Sequence, residues 1–178
     1  MAPRRGGNVG SFSVPEDRIA LFFEMERRYE EEDAEFFARL TKHQDFVIRA
    51  RAVCILAELA GKRYVKEIAE VLLRDDNPIV RHEAAYSLGQ LGRREAVQYL
   101  IEAVRRDPHP IVRHEAAVAL GVIGYEGAKE ALEEALSDPS KEVVDSAVIA
   151  LSNIEFCRRL FSQPIGSAAD KFARLTGG

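Results

Sequence analysis

Residues 77–89 read NPIVRHEAAYSLG and residues 109–121 read HPIVRHEAAVALG, so nearly the same phrase occurs twice, 32 residues apart. Self-similarity at a fixed period of about 20–50 residues is typical of stacked-repeat proteins. Weaker copies flank this pair, because residues 46–53 align at the same offset and residues 138–147 align at an offset of 31. The pattern predicts four repeats, over about residues 45–76, 77–107, 108–137 and 138–160.

Each repeat carries the signals of two helices. Asn77-Pro78 supplies a capping oxygen and a proline for the first turn of a helix. Gly61, Gly92 and Gly124 then fall where a helix C-terminus favours positive φ, and a shorter amphipathic stretch follows each glycine. This arrangement predicts an all-α fold, a HEAT-like α-solenoid of about four helix pairs with capping helices at both ends.

The two ends of the chain lie outside the repeats. Residues 1–13 contain three glycines and two arginines without periodicity, which predicts a flexible N-terminal arm. Residues 15–40 have a helical apolar pattern, with the acidic run 30–33 inside it as a solvent-facing patch, and residues 156–178 are the predicted C-terminal cap. Residues 14–178 are thus expected to form a single repeat domain.

Composition limits the class of protein and its partners. The chain of 178 residues is 47% apolar and 30% charged, as expected for one globular domain. Its net charge of −4 gives no electrostatic case for nucleic-acid binding. No window approaches the roughly 18–20 apolar residues of a membrane span, and no signal peptide is evident. Cys54 and Cys157 are isolated, so the predicted location is the cytoplasm.

Helical geometry separates a core face from a histidine-bearing face. At about 100° per residue, one narrow stripe gathers the predicted core residues of the two central repeats. They are Val80, Ala84, Leu88, Leu91, Val112, Ala116, Leu120 and Ile123. His82 and His114 are predicted to lie opposite that stripe, with Glu83 and Glu115 on the neighbouring flank. His43 and His109 lack such company and are expected at the surface.

The His-Glu pairs occupy two positions that recur in every repeat. The histidine register holds Ala50, His82, His114 and Asp145, and the glutamate register holds Arg51, Glu83, Glu115 and Ser146. Imidazoles on neighbouring helices, about 8–10 Å apart, can converge on one metal ion, and carboxylates beside them add oxygen ligands. Two histidines and one carboxylate form the ligand set that suits non-haem Fe(II) and dioxygen chemistry. The registers therefore favour metal binding over an ordinary solvated surface.

Gly89 and Gly121, seven residues after each histidine, leave the helix surface bare. Close helix packing and room for a ligand or a facing subunit are two explanations that the sequence leaves open.

The phrases 82–90 and 112–121 resemble the paired His-Glu helices of the deoxyhypusine hydroxylase family, in the same order. The likeness extends from the Ala50-Arg51 repeat to about Arg159 and corresponds to one half of such an enzyme. In that family two halves in one chain face each other across a di-iron centre that hydroxylates a deoxyhypusine residue on a translation initiation factor.

The resemblance implies a role for each residue of the two pairs. His82, His114 and Glu115 would be iron ligands, while Glu83 would be the catalytic residue, either as a further ligand or as a hydrogen-bond acceptor beside the iron. Because this chain has only one half, a homodimer with two irons is expected to rebuild the site, with the protein substrate on the concave face. The alternatives are a non-catalytic HEAT-repeat scaffold that binds another protein and a monomer with a mononuclear metal site, such as a zinc site.

Overall fold

The computed structural model describes residues 13–161, and all regular secondary structure within that range is helical. The helices are α1 (Glu16–Glu30), α2 (Ala34–Leu40), α3 (Phe46–Ala60), α4 (Val65–Arg74), α5 (Pro78–Leu91), α6 (Val97–Arg106), α7 (Pro110–Ile123), α8 (Lys129–Ala135) and α9 (Lys141–Phe161). The long helices α3, α5, α7 and α9 pack side by side in one layer, and α4, α6 and α8 form a second layer. The predicted all-α solenoid is confirmed.

The starts and ends of the long helices follow from local chemistry. Asn77 Oδ1 accepts a hydrogen bond from the Ile79 N–H at 2.9 Å, and Pro78 occupies the first turn of α5. Gly92 ends α5 with φ 60° and Gly124 ends α7 with φ 65°, a left-handed conformation that glycine adopts without a Cβ penalty. The predicted helix boundaries in the central repeats therefore have a direct cause.

Residues 15–40, where the apolar pattern is helical, form two helices and not one continuous helix, because the chain breaks after Glu30. Glu32 has φ 54°, and the Asp33 side chain accepts a hydrogen bond from the Phe36 N–H and so caps a new helix, α2. An aspartate is favoured at such an N-terminal cap, which satisfies backbone N–H groups that the helix leaves unpaired. The break lets α2 place Phe37 in the core and pack against α3.

The predicted core stripe is confirmed in its centre. Six of the predicted core residues on α5 and α7 are fully buried, namely Val80, Ala84, Leu88, Val112, Ala116 and Leu120. Leu91 and Ile123, at the last turns of these helices, are half-buried and pack against the same core.

A repeated ion pair joins each repeat to the next. The arginine ladder consists of the pairs Arg49–Asp75, Arg81–Asp107 and Arg113–Asp138. In every pair Nε donates to one carboxylate oxygen at 2.7 Å and Nη2 donates to the other at 2.9 Å. All six side chains are at most 13% exposed. Such bidentate, charge-assisted hydrogen bonds fix both the distance and the orientation between a long helix and the turn that precedes the next one.

The two glycines on the long helices allow close helix packing. A Cβ on Gly89 would lie 2.8 Å from Ala119 Cβ, and a Cβ on Gly121 would lie 2.7 Å from Ala150 Cα. Both glycines are buried within the chain. The packing explanation is therefore right, and space there for a ligand or a facing subunit is excluded. The close approach brings side chains on α5, α7 and α9 into contact.

Several predictions fall on residues outside 13–161. The flexible arm, apart from Ser13, and the part of the C-terminal cap beyond Phe161 lie outside the described residues, while residues 156–161 continue α9. Among the helices that the structure describes, none is long and apolar enough to cross a membrane.

Candidate metal centre

The His-Glu pairs lie on adjacent long helices, one pair on α5 and the other on α7. Neither histidine is in the core, as predicted, but both are half-buried between neighbouring helices instead of facing open solvent. The reason is the close packing at Gly89 and Gly121, which narrows the space between the long helices. Side chains in the two registers therefore contact the next repeat.

His82 lies between two carboxylates. Its Nε2 is 3.3 Å from Glu115 Oε2 on the next helix, and its Nδ1 is 3.6 Å from Glu83 Oε1 on its own helix. The hydrogen bond with Glu115 raises the pKa of His82, burial of the ring opposes this shift, and the charges of both carboxylates add to it. The side chain of Glu115 is only 11% exposed, so His82 is the main partner that compensates its burial.

Among residues 13–161, His114 contacts no carboxylate. Its Nδ1 lies 2.6 Å from the Ser146 hydroxyl oxygen on α9, and that hydroxyl donates to the Glu142 backbone carbonyl at 2.7 Å. The same rule thus holds twice: the glutamate register of one repeat contacts the histidine register of the repeat before it.

Glu83 contacts the first repeat. The Cys54 thiol on α3 donates to Glu83 Oε2 at 3.2 Å. Burial raises the pKa of Cys54 to about 12, and the hydrogen bond with Glu83 adds to this shift. Cys54 is therefore a neutral thiol that holds one oxygen of the carboxylate.

Sequence reasoning missed Cys54 and Ser146 as neighbours of the pairs. A signal existed for Ser146, since it occupies the glutamate register and therefore faces the histidine of the preceding repeat. In the first repeat the histidine register holds Ala50, whose side chain is too small to contact Glu83. Cys54 lies one turn later and outside both registers, so the repeat pattern did not predict its contact with Glu83. Both flanking repeats thus contribute hydrogen bonds to the candidate site.

The donor atoms fit part of a metal's ligand shell. Two ligands at about 2.0–2.2 Å from one ion are separated by roughly 3.0–3.4 Å, depending on the coordination angle. The distance of 3.3 Å between His82 Nε2 and Glu115 Oε2 matches that separation. Within residues 13–161, however, no three His, Cys, Asp or Glu side chains form a ready-made metal cluster. One chain in this conformation therefore presents two adjacent ligands, and the assignment of all four predicted residues stays a prediction.

Comparison with known proteins places the chain by fold. The family model for HEAT repeats matches residues 34–121 and 98–156. The comparison with curated proteins gives no match. Among solved structures, human deoxyhypusine hydroxylase in complex with glycerol is similar, with a TM-score of 0.65 and 29% sequence identity.

That similarity covers 80% of this chain and 50% of the human enzyme. The chain thus spans half the length of the enzyme, and the predicted resemblance to one half of deoxyhypusine hydroxylase is confirmed. Together with the helical layers and the two matched segments, which include all four predicted site residues, this shows that the chain belongs to the HEAT-repeat family.

Proposed function

We propose that this chain is half of an iron-dependent monooxygenase, which hydroxylates a modified lysine on a translation initiation factor as deoxyhypusine hydroxylase does. The observation that carries the proposal is the contact between His82 and Glu115 across α5 and α7, at a separation suited to two ligands of one ion. The likeness to one half of deoxyhypusine hydroxylase supplies the reaction class.

Three residues would hold the iron: His82, His114 and Glu115. Iron bound by two imidazoles and a carboxylate, with open positions, supplies the activation of dioxygen. Glu83 lies beside His82 with one oxygen held by Cys54, so its other oxygen, Oε1, remains directed towards the His82 ring. Oε1 is the group best placed to accept a proton or to orient an amine of the substrate.

An apolar rim borders the site one turn along the long helices. Tyr86, Val118 and Ile149 each follow the histidine register by four residues, so they lie on the same face as His82 and His114. Tyr86 is 46% exposed and Ile149 is 61% exposed. Exposed apolar residues of this size around a polar centre favour a covering surface that excludes water.

The covering surface in this proposal is a second copy of the chain. One chain provides two imidazoles and two carboxylates, about enough for one iron, whereas a two-fold dimer doubles that inventory. Each copy would contribute His82, Glu83, His114 and Glu115 to a centre of two irons per dimer, and the protein substrate would approach along the concave face.

The test combines metal analysis with light scattering on protein purified without chelators. We expect two irons per dimer at micromolar concentration. His82→Ala and His114→Ala should each lose stoichiometric iron without loss of helical content, because neither side chain belongs to the core. His109→Ala is the matched control. His109 is an exposed histidine in the same repeat as His114, and its substitution should leave the iron content unchanged. Full iron occupancy in either site variant, or an iron-bound monomer, would contradict the shared centre.

A non-catalytic scaffold is the second candidate function. The HEAT-repeat match over most of the chain favours it, because repeat solenoids commonly bind other proteins along an extended surface without any metal. Wild-type protein that takes up no iron, whether reduced or air-exposed, would support the scaffold and contradict the enzyme. Zinc bound by a monomer would indicate the mononuclear site instead.

A further inference from the structure

We propose that Ser146, in the fourth repeat, holds the His114 ring in the tautomer that leaves Nε2 free to bind a metal. The consequence for metal binding rests on the proposed function, whereas the assignment of the tautomer rests on hydrogen bonds within the chain. Ser146 stands where the central repeats carry glutamate, so the fourth repeat, which lacks a His-Glu pair, is also part of the site.

The tautomer follows from counting protons. The Ser146 hydroxyl has one hydrogen, and Oγ donates it to the Glu142 carbonyl at 2.7 Å. A carbonyl oxygen can only accept, so this hydrogen cannot also serve the imidazole. The contact of 2.6 Å between Ser146 Oγ and His114 Nδ1 is therefore a hydrogen bond in which Nδ1–H donates.

A neutral imidazole carries one hydrogen, and the hydrogen on Nδ1 leaves a lone pair on Nε2. A metal ion binds the nitrogen that carries the lone pair, and the hydrogen bond at the other nitrogen commonly fixes the tautomer and the ring orientation. Ser146 is only 4% exposed, so water does not compete strongly for the Nδ1–H. The ring is thus prepared for a ligand at Nε2 before any ligand arrives.

Serine performs this role without adding a charge. In the preceding interface the same register is filled by Glu115, whose carboxylate contacts Nε2 of His82. Ser146 instead contacts Nδ1 of His114, so the two rings turn different nitrogens towards the next repeat. A glutamate at position 146 would add a third carboxylate to those of Glu83 and Glu115, whereas the serine hydroxyl accepts the Nδ1–H and adds no charge.

The experiment compares Ser146→Ala with Ser152→Ala. The control removes the same type of hydroxyl from the same helix, because Ser152 Oγ donates to the Val148 carbonyl at 2.8 Å at an exposed position away from the histidines. Nitrogen-15 NMR of the imidazoles in metal-free protein, at a pH well above the ordinary pKa of histidine, reports the tautomer directly. We expect Nδ1–H for His114 in wild type and in Ser152→Ala, and loss of that preference in Ser146→Ala.

Metal affinity gives a second readout. Titration with Fe(II) under anaerobic conditions should show affinity about 10–100-fold lower for Ser146→Ala than for wild type, the usual effect of removing such an orienting partner. Ser152→Ala should bind as wild type does.

The outcomes separate this proposal from the proposed function. His114 with Nε2–H in metal-free wild type would overturn the role of Ser146, whatever iron does. An unchanged tautomer in Ser146→Ala would overturn it as well. The expected tautomers in all three proteins, with no iron bound by any of them, would uphold the role of Ser146 in setting the ring and refute the enzyme.

Discussion

The arginine ladder and the histidine and glutamate registers both join successive repeats, but only the ladder is uniform. Its three pairs share the same atoms, the same distances and nearly the same burial. The registers differ at every interface, since Cys54 contacts Glu83, Glu115 contacts His82, and Ser146 contacts His114. The ladder contacts, which are the same in each repeat, maintain the stacking of the solenoid. The register contacts differ from repeat to repeat and are therefore the better candidates for a function specific to this chain.

The ladder and the contacts of His82 also differ in geometry. The ladder is bidentate, with donor–acceptor distances of 2.7 and 2.9 Å. The His82 contacts, at 3.3 and 3.6 Å, are longer and half-buried. Loss of a ladder residue should therefore affect folding, while loss of a register residue should affect binding and leave folding largely intact.

The largest expected effect is that of Arg81→Ala. This change leaves Asp107 buried without its bidentate partner, which should reduce the free energy of unfolding by about 3–5 kcal/mol. Chemical denaturation measures the loss. Arg105→Ala is the matched control, because Arg105 makes an equally short bidentate contact with Glu134 at an exposed position, where water replaces the lost partner and the loss of stability should be far smaller. Equal losses in the two variants would show that burial does not distinguish the ladder.

A smaller effect is expected for Gly121→Ala. The added Cβ would lie 2.7 Å from Ala150 Cα, so α7 and α9 must move apart, at a cost of about 1–3 kcal/mol. The same movement should lengthen the contact between His114 and Ser146. Gly121→Ala should therefore lower the free energy of unfolding and also change the tautomer of His114. Denaturation and the His114 imidazole signals measure the two effects. At exposed Gly127, alanine would contact the Tyr125 ring, which can turn away, so Gly127→Ala should change neither readout. Unchanged stability in Gly121→Ala would mean that the helices adapt without cost.

Acid should weaken the ladder in a definite pH range. The hydrogen bond from Arg113 lowers the pKa of Asp138, burial opposes this shift, and the Ser140 N–H supports it. Because the folded-state pKa lies below the unfolded value of about 3.9, the stabilisation is complete above about pH 4 and is lost as the pH falls through the folded-state pKa. Denaturation of wild type and Asp138→Asn at several pH values should show a stability difference that shrinks below about pH 4. A difference independent of pH would exclude this ion pair as its source.

The smallest effect concerns reactivity and leaves stability unchanged. Burial, followed by the hydrogen bond with Glu83, raises the pKa of Cys54 to about 12, so very little thiolate should be available to an alkylating reagent at neutral pH. In a Cys157→Ala background, alkylation of Cys54 should be far slower in folded protein than in urea. Glu83→Gln should increase the folded-state rate several-fold and still leave it slow, because burial is the larger cause. An unchanged rate in Glu83→Gln would contradict the contact with Glu83, and rapid labelling of the folded Cys157→Ala protein would contradict the burial of Cys54.

The sequence was sufficient for the helical solenoid and for most of the core, because the repeat period and the apolar stripe of α5 and α7 are local patterns. The break at residues 30–33 was not predicted, because the apolar pattern continues through it. There the chain starts a new helix capped by Asp33, and this helix buries Phe37 in the core. The arginines and aspartates of the ladder recur at the same position of successive repeats in the sequence. Arg81 and Asp107 are nevertheless 26 residues apart, and their pairing depends on how one repeat packs against the next. The burial of His82 and His114 depends on the same docking.

Three contacts at the candidate centre cross a boundary between repeats: Cys54 with Glu83, His82 with Glu115, and His114 with Ser146. Repeat arrays are stabilised by nearest-neighbour interfaces, so their ends can open locally while the middle stays folded. Detachment of α9 would free the His114 ring from Ser146 without disturbing the contact between His82 and Glu115. Hydrogen exchange in α9 would then report how often the fourth repeat opens, and a ligand held by His114 would slow that exchange.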